Sequence, residues 1–358
     1  MAAKDLQALQ ATIRKKGFSW EPAETPFAAL NATQQKALLG LSVTESELKA
    51  TGQAIQAMQS FAALQAPVAV PTAIDWRSNG GNWVTPIKDQ QSCGSCVSFG
   101  TLATVESRVR IACKNATMDI DLAEAHLFYC GCGNCCVPGW NFAPALDFCK
   151  NTGVGLEASF PYTPGNQPCK AGVVPYVKIN SWAAILAVSD RKNILATQGP
   201  VVGGLAIYAD FYSYRSGVYR VTSTDLRGYH AISVVGYDDG QQCWICKNSW
   251  GPGFGESGFF RIGYGESLID TNFAFYDMDL NCPTPPPTDV CQQYVPYLRR
   301  VILAARSNAG LRACLCYYIC GVGIRPYCAP TVIQIVRTVL LILRRCPRYR
   351  KPFCDALR

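Results

Sequence analysis

Cys96, His230 and Asn248 are the residues whose types and settings point to chemistry in this chain. Cys96 closes the run Asp89-Gln90-Gln91-Ser92-Cys93-Gly94-Ser95-Cys96 and opens a segment in which Phe99, Leu102, Val105, Val109 and Ile111 recur roughly every third or fourth residue. That period predicts a helix beginning at the thiol. A thiol at a helix N-terminus faces unpaired backbone N–H groups and the positive end of the helix dipole, so thiolate is favoured over thiol. The Cys93-x-x-Cys96 spacing also reads as a redox dithiol. The rest of the chain, however, supplies what acyl transfer needs and a redox protein does not.

The first need is a general base, and the chain has only two histidines. His126 lies in Leu122–Cys130, which reads as a short amphipathic helix with the histidine on its surface. His230 opens Tyr229-His230-Ala231-Ile232-Ser233-Val234-Val235-Gly236-Tyr237, an apolar strand ending in a glycine turn. A histidine at the mouth of a buried strand can project into a cleft. In Cys246-Lys247-Asn248-Ser249-Trp250-Gly251, Asn248 can orient an imidazole and Trp250 can shield that hydrogen bond from water.

With these runs in place, the chain resembles the papain-like cysteine peptidases (papain/cathepsin type). The residues carrying the resemblance are Asp75-Trp76-Arg77, Gln90 with Cys93-Gly94-Ser95-Cys96, Leu122-Ala123-Glu124 with Cys130, Tyr229-His230-Ala231 with Val235-Gly236-Tyr237, and Asn248-Ser249-Trp250-Gly251 with Gly255-Glu256-x-Gly258. His230 lies 134 residues after Cys96 (230 − 96) and Asn248 lies 152 (248 − 96), the long separation this signature has. The resemblance implies an α+β, two-lobed fold over residues 71–282, with a helical lobe, a β-barrel-like lobe and the active site between them. It implies catalytic roles for Cys96, His230 and Asn248, an oxyanion-hole donor in Gln90, and peptide hydrolysis through a Cys96 thioester, with no cofactor or metal. It also implies a disulfide from Cys93 to Cys136 or Cys135, another from Cys130 to Cys169, and a substrate groove flanked by Gly139, Trp140 and Tyr229. Departures from the family pattern are Val97 after the nucleophile, Gln91 where a glycine is usual, Pro138 in the glycine run and Phe254 for a second tryptophan. None removes a proton-transfer or oxyanion group.

The elements that position these residues follow from pattern. Residues 75–175 read as helical, with helices over Cys96–Cys113 and Leu122–Cys130. Residues 176–280 read as strands over Val201–Tyr208, Gly217–Arg220, His230–Gly236, Cys243–Lys247 and Gly258–Ile262, joined by glycine turns. Residues 1–70 lack the continuous apolar core and small-residue cleavage site of a secretory signal. They read instead as helices over Leu6–Lys16, Ala32–Leu39 and Thr44–Leu64, with N-caps at Asn31 or Thr33 and at Thr44 opposite Glu47. This segment is either an inhibitor acting in cis, as in a zymogen, or an export or assembly segment. Trp20, Phe27 and Phe61 are its residues to follow for packing. Residues 65–74 read as an extended linker, with a processed chain beginning near Val70-Pro71.

At 358 residues, 49% hydrophobic and 16% charged, the chain is globular rather than disordered. Its net charge of +8 is uneven: residues 288–358 hold twelve Lys/Arg against two Asp/Glu, a net +10, leaving −2 for everything before them (8 − 10). Setting Cys96 aside leaves 18 of 19 cysteines, ten up to Cys246 and eight from Cys282 at the edge of the proline run 283–287 onward. Both sets are even, which reads as full disulfide pairing with one free nucleophile and as export to an oxidising compartment, although no signal is recognisable. A rival reading joins Cys132-x-x-Cys135 with Cys243-x-x-Cys246 as a four-thiolate zinc site. Residues 283–287 are a stiff proline linker. Beyond it, 288–358 reads as a small, cysteine-rich, basic helical domain, suited to an anionic membrane or cell wall; the arginines come with no nucleic-acid motif. The run Val332–Leu343 is too short to span a bilayer. Two further uses of the chain stay open: amine capture of the thioester, as in an acyltransferase or transglutaminase, and a binding or toxin protein acting through its basic tail.

Overall fold

In the computed structural model, residues 3–64, 69–283, 295–323, 326–345 and 349–357 are described. The segments 65–68 and 284–287 of the two expected linkers lie outside them. The N-terminal segment begins with α1 (Ala3–Lys15), a two-residue strand β1 (Glu21–Pro22), α2 (Ala32–Lys36) and α3 (Glu45–Ala62). Capping boxes start two of these helices: Asn31 with Gln34, and Thr44 with Glu47. Each satisfies two N–H groups that a helix start leaves unpaired. Asn31, not Thr33, is therefore the cap.

A first lobe is built on α4 (Cys96–Ala112), α5 (Glu124–Gly131) and α6 (Phe142–Asn151). α4 is buried along most of its length, Glu106 as inaccessible as Leu102 and Val109 and Arg108 and Arg110 nearly so. It packs against the sheet of the second lobe, and a Cβ added at Gly100 would lie 3.2 Å from the Ile232 nitrogen. A glycine is what allows helix and strand to approach so closely.

The second lobe is an eight-stranded sheet with α7 (Val188–Thr197) beside it. Its strands are β2 (Ala73–Asp75), β3 (Ser181–Ile185), β4 (Val201–Tyr208), β6 (Val218–Tyr219), β7 (Leu226–Asp238), β8 (Cys243–Lys247), β9 (Phe259–Gly263) and β10 (Phe275–Asp279). The order is β3-β10-β4-β7-β8-β9-β6, with β2 on β7, all antiparallel except β6 with β9. β5 (Tyr214–Ser216) pairs instead with β1 of the N-terminal segment. β4 is buried along almost its whole length and β8 throughout, which is why both read as continuous apolar runs rather than alternating ones.

The chain forms two compact units, 1–283 and 284–358. In the second, α8 (Val295–Ser307), α9 (Ala309–Leu315), a π-turn over Cys316–Cys320, α10 (Pro330–Arg345) and α11 (Arg350–Leu357) enclose a core that includes Leu298, Val301, Leu315, Val339 and Phe353. Cys314–Cys328 and Cys320–Cys354 staple it.

Three sequence expectations are corrected. His126 is buried: its Nδ1 accepts the Gly155 N–H at 3.1 Å and its ring meets Phe148 edge-on. A polar residue inside a helix covered on all sides is tolerated because it is hydrogen-bonded. Full disulfide pairing also fails, since Cys149, Cys243 and Cys246 are free and buried and Cys316 is free. Moreover, Cys282 pairs back to Cys113, so dividing the cysteines at the proline run misassigned it. Finally, Cys132 and Cys135 are bonded to each other, which removes two of the thiolates a zinc site would have needed.

Candidate active site

α4 carries Cys96 at its first turn, with Cys93 held away by its disulfide to Cys136. Cys96 is therefore a lone thiol, and the redox-dithiol reading is excluded. Its Sγ accepts the Ala231 N–H at 3.4 Å, which brings the helix start against the strand carrying His230. On β7, the His230 Nε2 lies 2.7 Å from the Asn248 Oδ1, which also accepts the Ser249 N–H at 2.8 Å. An amide oxygen can only accept, so Nε2 carries the proton and the Nδ1 lone pair is left over. Nδ1 is buried and has no hydrogen-bond partner. It is the open basic atom of the site.

Trp250 covers this pair, its ring centroid 4.9 Å from that of His230, and stacks on Tyr212 with an interplanar angle of 1°. Phe254, in place of a second tryptophan, meets Trp250 edge-on at 4.9 Å. Gln91, in place of a glycine, holds a left-handed φ of 53°, a conformation that favours glycine. Gln90 is fully buried. Its Oε1 accepts from the Ser249 hydroxyl at 2.7 Å, and its Nε2 donates to the carbonyls of Cys93 (2.9 Å) and Leu38 (3.1 Å). Two residues earlier, Lys88 binds Glu106, Glu124 and Asp121 at 3.0, 2.8 and 2.7 Å, fixing this loop to α4 and α5.

The Leu38 carbonyl belongs to the N-terminal segment, and that segment fills the cleft. After the turn at Leu38 that follows α2, residues 39–42 run between the lobes. Leu41 N–H donates to the Tyr229 carbonyl at 3.2 Å, Trp140 N–H to the Gly40 carbonyl at 2.8 Å, and Ser42 N–H to the Trp140 carbonyl at 2.8 Å. Leu41 and Trp140 form a parallel bridge. Of the expected groove residues, Tyr229 and Trp140 thus contribute backbone, while the Trp140 ring turns inward onto Phe128. Gly139 contributes room, since a Cβ there would lie 2.4–3.0 Å from Gly40, and likewise a Cβ on Gly40 would collide with the Gly94 carbonyl. The Leu41 side chain is buried beside Gly204 and Phe273. Further along, Phe27 lies on Trp250 and Phe254, Trp20 is buried against Tyr219, and Phe61 stays exposed.

Burial of the closed site decides its electrostatics. Loss of water pushes the Cys96 thiol up to about 12 and the His230 imidazole down to about 4, despite the stabilising N–H groups around the sulfur and the Asn248 bond to the ring. Thiol and imidazole are both neutral here, against the thiolate expected from the helix N-terminus. Desolvation outweighs the dipole once the site is closed. Ser249 and the 38–42 segment are site residues that the sequence reading did not single out. The first stands in the Asn-Ser-Trp run, and the second is marked by Gly40 between two leucines. Among the described residues, no group of His, Cys, Asp and Glu is placed to hold a metal.

The family model described as papain family cysteine protease matches residues 70–276. The chain belongs to this family. Cysteine proteinase 2 of Entamoeba histolytica is 33% identical over 250 residues, 66% of this chain and 74% of that protein. The chain shares its fold with proCathepsin B S9 from Trypanosoma congolense, at a TM-score of 0.64 and 20% identity, over 78% of this chain and 99% of that one. The bromelain protease from Ananas comosus, solved in complex with the E64 inhibitor, aligns at a TM-score of 0.52 and 32% identity over 59% of this chain and 100% of that one. Membership makes the protein a cysteine endopeptidase with the two-lobed α+β fold, acting on protein substrates. Its disulfides fit an oxidising compartment.

Proposed function

We propose that Cys96 is the nucleophile of this endopeptidase, His230 its acid and base, Asn248 the group that orients the imidazole, and Gln90 with the Cys96 N–H the oxyanion hole. Residues 1–70 act as an inhibitor in cis, removed by cleavage near Val70-Pro71 to leave the peptidase domain 71–282. The observation that carries this reading is the His230–Asn248 bond: with Nε2 committed, the only basic atom left is Nδ1, on the strand whose next amide holds the thiol. Once the cleft opens, His230 takes the thiol proton and the sulfur attacks the peptide carbonyl. The Gln90 Nε2, freed from the Leu38 carbonyl, donates to the oxyanion, a donor typically worth about 2.7–4 kcal/mol of barrier. His230 then protonates the leaving amine, and water hydrolyses the thioester. Trp250 keeps solvent from the Asn248–His230 bond, and the backbones of Trp140 and Tyr229 hold the substrate.

Export completes the reading. The basic domain 288–358 would hold the exported peptidase at an anionic membrane or cell-wall surface.

The test is mass-spectrometric labelling with an epoxide that alkylates active thiolates, on the full chain and on a form beginning at Pro71. Labelling of Cys96 in the short form alone supports the reading. Equal labelling of both removes the inhibitory role of residues 1–70, and labelling of neither, with both folded, removes Cys96 as nucleophile.

A further inference from the structure

The C-terminal unit repeats one pattern on two helices. α8 and α10 each contain Arg-x-x-x-Leu-x-x-Arg: Arg299, Leu303 and Arg306 in the first, Arg337, Leu341 and Arg344 in the second. Offsets of four and seven place all three residues on one helical face. In both helices that face is outward: the four arginines are exposed, Leu303 is 60% exposed and Leu341 67%. The inner faces are complete without them, since Leu298, Val301 and Ala305 of α8 and Val336, Val339 and Leu343 of α10 already form the core. Isolated exposed leucines are common; a leucine flanked by arginines one turn away on either side, twice over, is a pattern.

Charge narrows the choice of partner. Residues 288–358 hold eleven arginines and one lysine, and Asp355 is the one acidic residue among the described part of the unit. Among the described residues of the unit the guanidinium groups thus far outnumber the carboxylates they could pair with. We propose that these two stripes dock the C-terminal unit on an anionic phospholipid surface, the leucines entering the acyl boundary while the arginines bind lipid phosphates. This deepens the anionic-surface reading above and rests on it. Guanidinium groups suit phosphate oxygens because their paired donors match them, and an interfacial helix needs both an apolar wedge and flanking cations. Among the described residues no helix is long and apolar enough to cross a membrane, so contact is with the surface. Nucleic acid would use the arginines but leave the leucines without a role.

The test is co-sedimentation of the full-length protein with phosphatidylcholine vesicles, with and without phosphatidylserine. Binding to the anionic vesicles alone, weakened by salt, is expected. Arg337→Ala/Arg344→Ala should weaken it about fivefold per arginine, and Leu303→Ser/Leu341→Ser, which leaves the charge unchanged, by at least about tenfold. Lys114→Ala/Lys150→Ala, which removes two charges from the other unit, should leave it unchanged. Circular dichroism and intact mass confirm that each variant keeps its helices and disulfides. Anionic-vesicle binding that the leucine variant does not weaken overturns the stripes while sparing the surface reading. No binding by the unaltered protein, or tighter binding to duplex DNA than to vesicles, overturns both.

Discussion

At the residue scale, the Cys96 thiol has opposing influences acting on it, and the structure shows which prevails. The helix start and four backbone N–H groups, one of them that of Gly40, favour the thiolate, yet burial raises its pKa to about 12. Only the thiolate reacts with an epoxide. In the full chain the reactive fraction at neutral pH is therefore small and grows about tenfold per pH unit until pH approaches 12. The rate of Cys96 alkylation, followed by mass spectrometry from pH 6 to pH 10, should rise on that slope in the full chain. In the form beginning at Pro71, where water and the His230 imidazole reach the sulfur, it should be fast and nearly flat. Parallel profiles would show that the cover does not control the thiol. The residue types and spacings of Cys96, His230, Asn248 and Gln90 were legible in the sequence because each stands in a short, distinctive run. The closed protonation state was not, because it depends on a segment more than fifty residues away along the chain, whose carbonyl occupies Gln90.

At the scale of elements, residues 38–42 hold the cleft through their backbone, and Gly40 is the tightest point. Gly40→Val would drive a side chain into the Gly94 backbone, a clash that the segment relieves only by leaving the cleft. Full-length Gly40→Val is expected to label with the epoxide without prior processing, at a rate approaching that of the short form. A full-length variant that stays unlabelled would show that the contacts of Trp20 and Phe27 hold the cover without the strand. Sequence pattern found the strands β4 and β8 with the bounds they have, since an apolar run ended by turns leaves little choice. It found the capped helices α2 and α3 for a similar reason: a capping box is local chemistry. It misread His126, because a histidine and a glutamate among apolar residues suggest a wet helix face. In the structure Glu124 is paired with Lys88 and the His126 Nδ1 accepts the Gly155 N–H, so the turn is buried. Pairings such as Cys113 with Cys282 were out of reach, because spacing says nothing about which distant thiols the fold brings together.

At the scale of the whole molecule, the two units are joined by a short proline-rich stretch, but the first unit ends in a covalent clasp. Cys282 bonds to Cys113, the C-cap of α4, across 169 residues. Removing a cross-link over so long a loop gives the unfolded chain back its freedom and typically costs about 2–5 kcal/mol. Cys282→Ser should lower the free energy of urea unfolding of the first unit by an amount in that range, and its midpoint with it, without changing the pH profile of Cys96 alkylation. An unchanged midpoint would mean that the bridge adds nothing to the fold's stability. The clasp also determines how mechanical force travels. Any tension drawn through residue 283 enters at Cys282 and passes through the sulfurs to the far end of α4, so the hydrogen bonds of β10 just upstream need not carry it. A peptidase hauled by its tail would thus resist being unzipped from that edge for as long as the bridge stays oxidised, and would become vulnerable to the same pull on reduction.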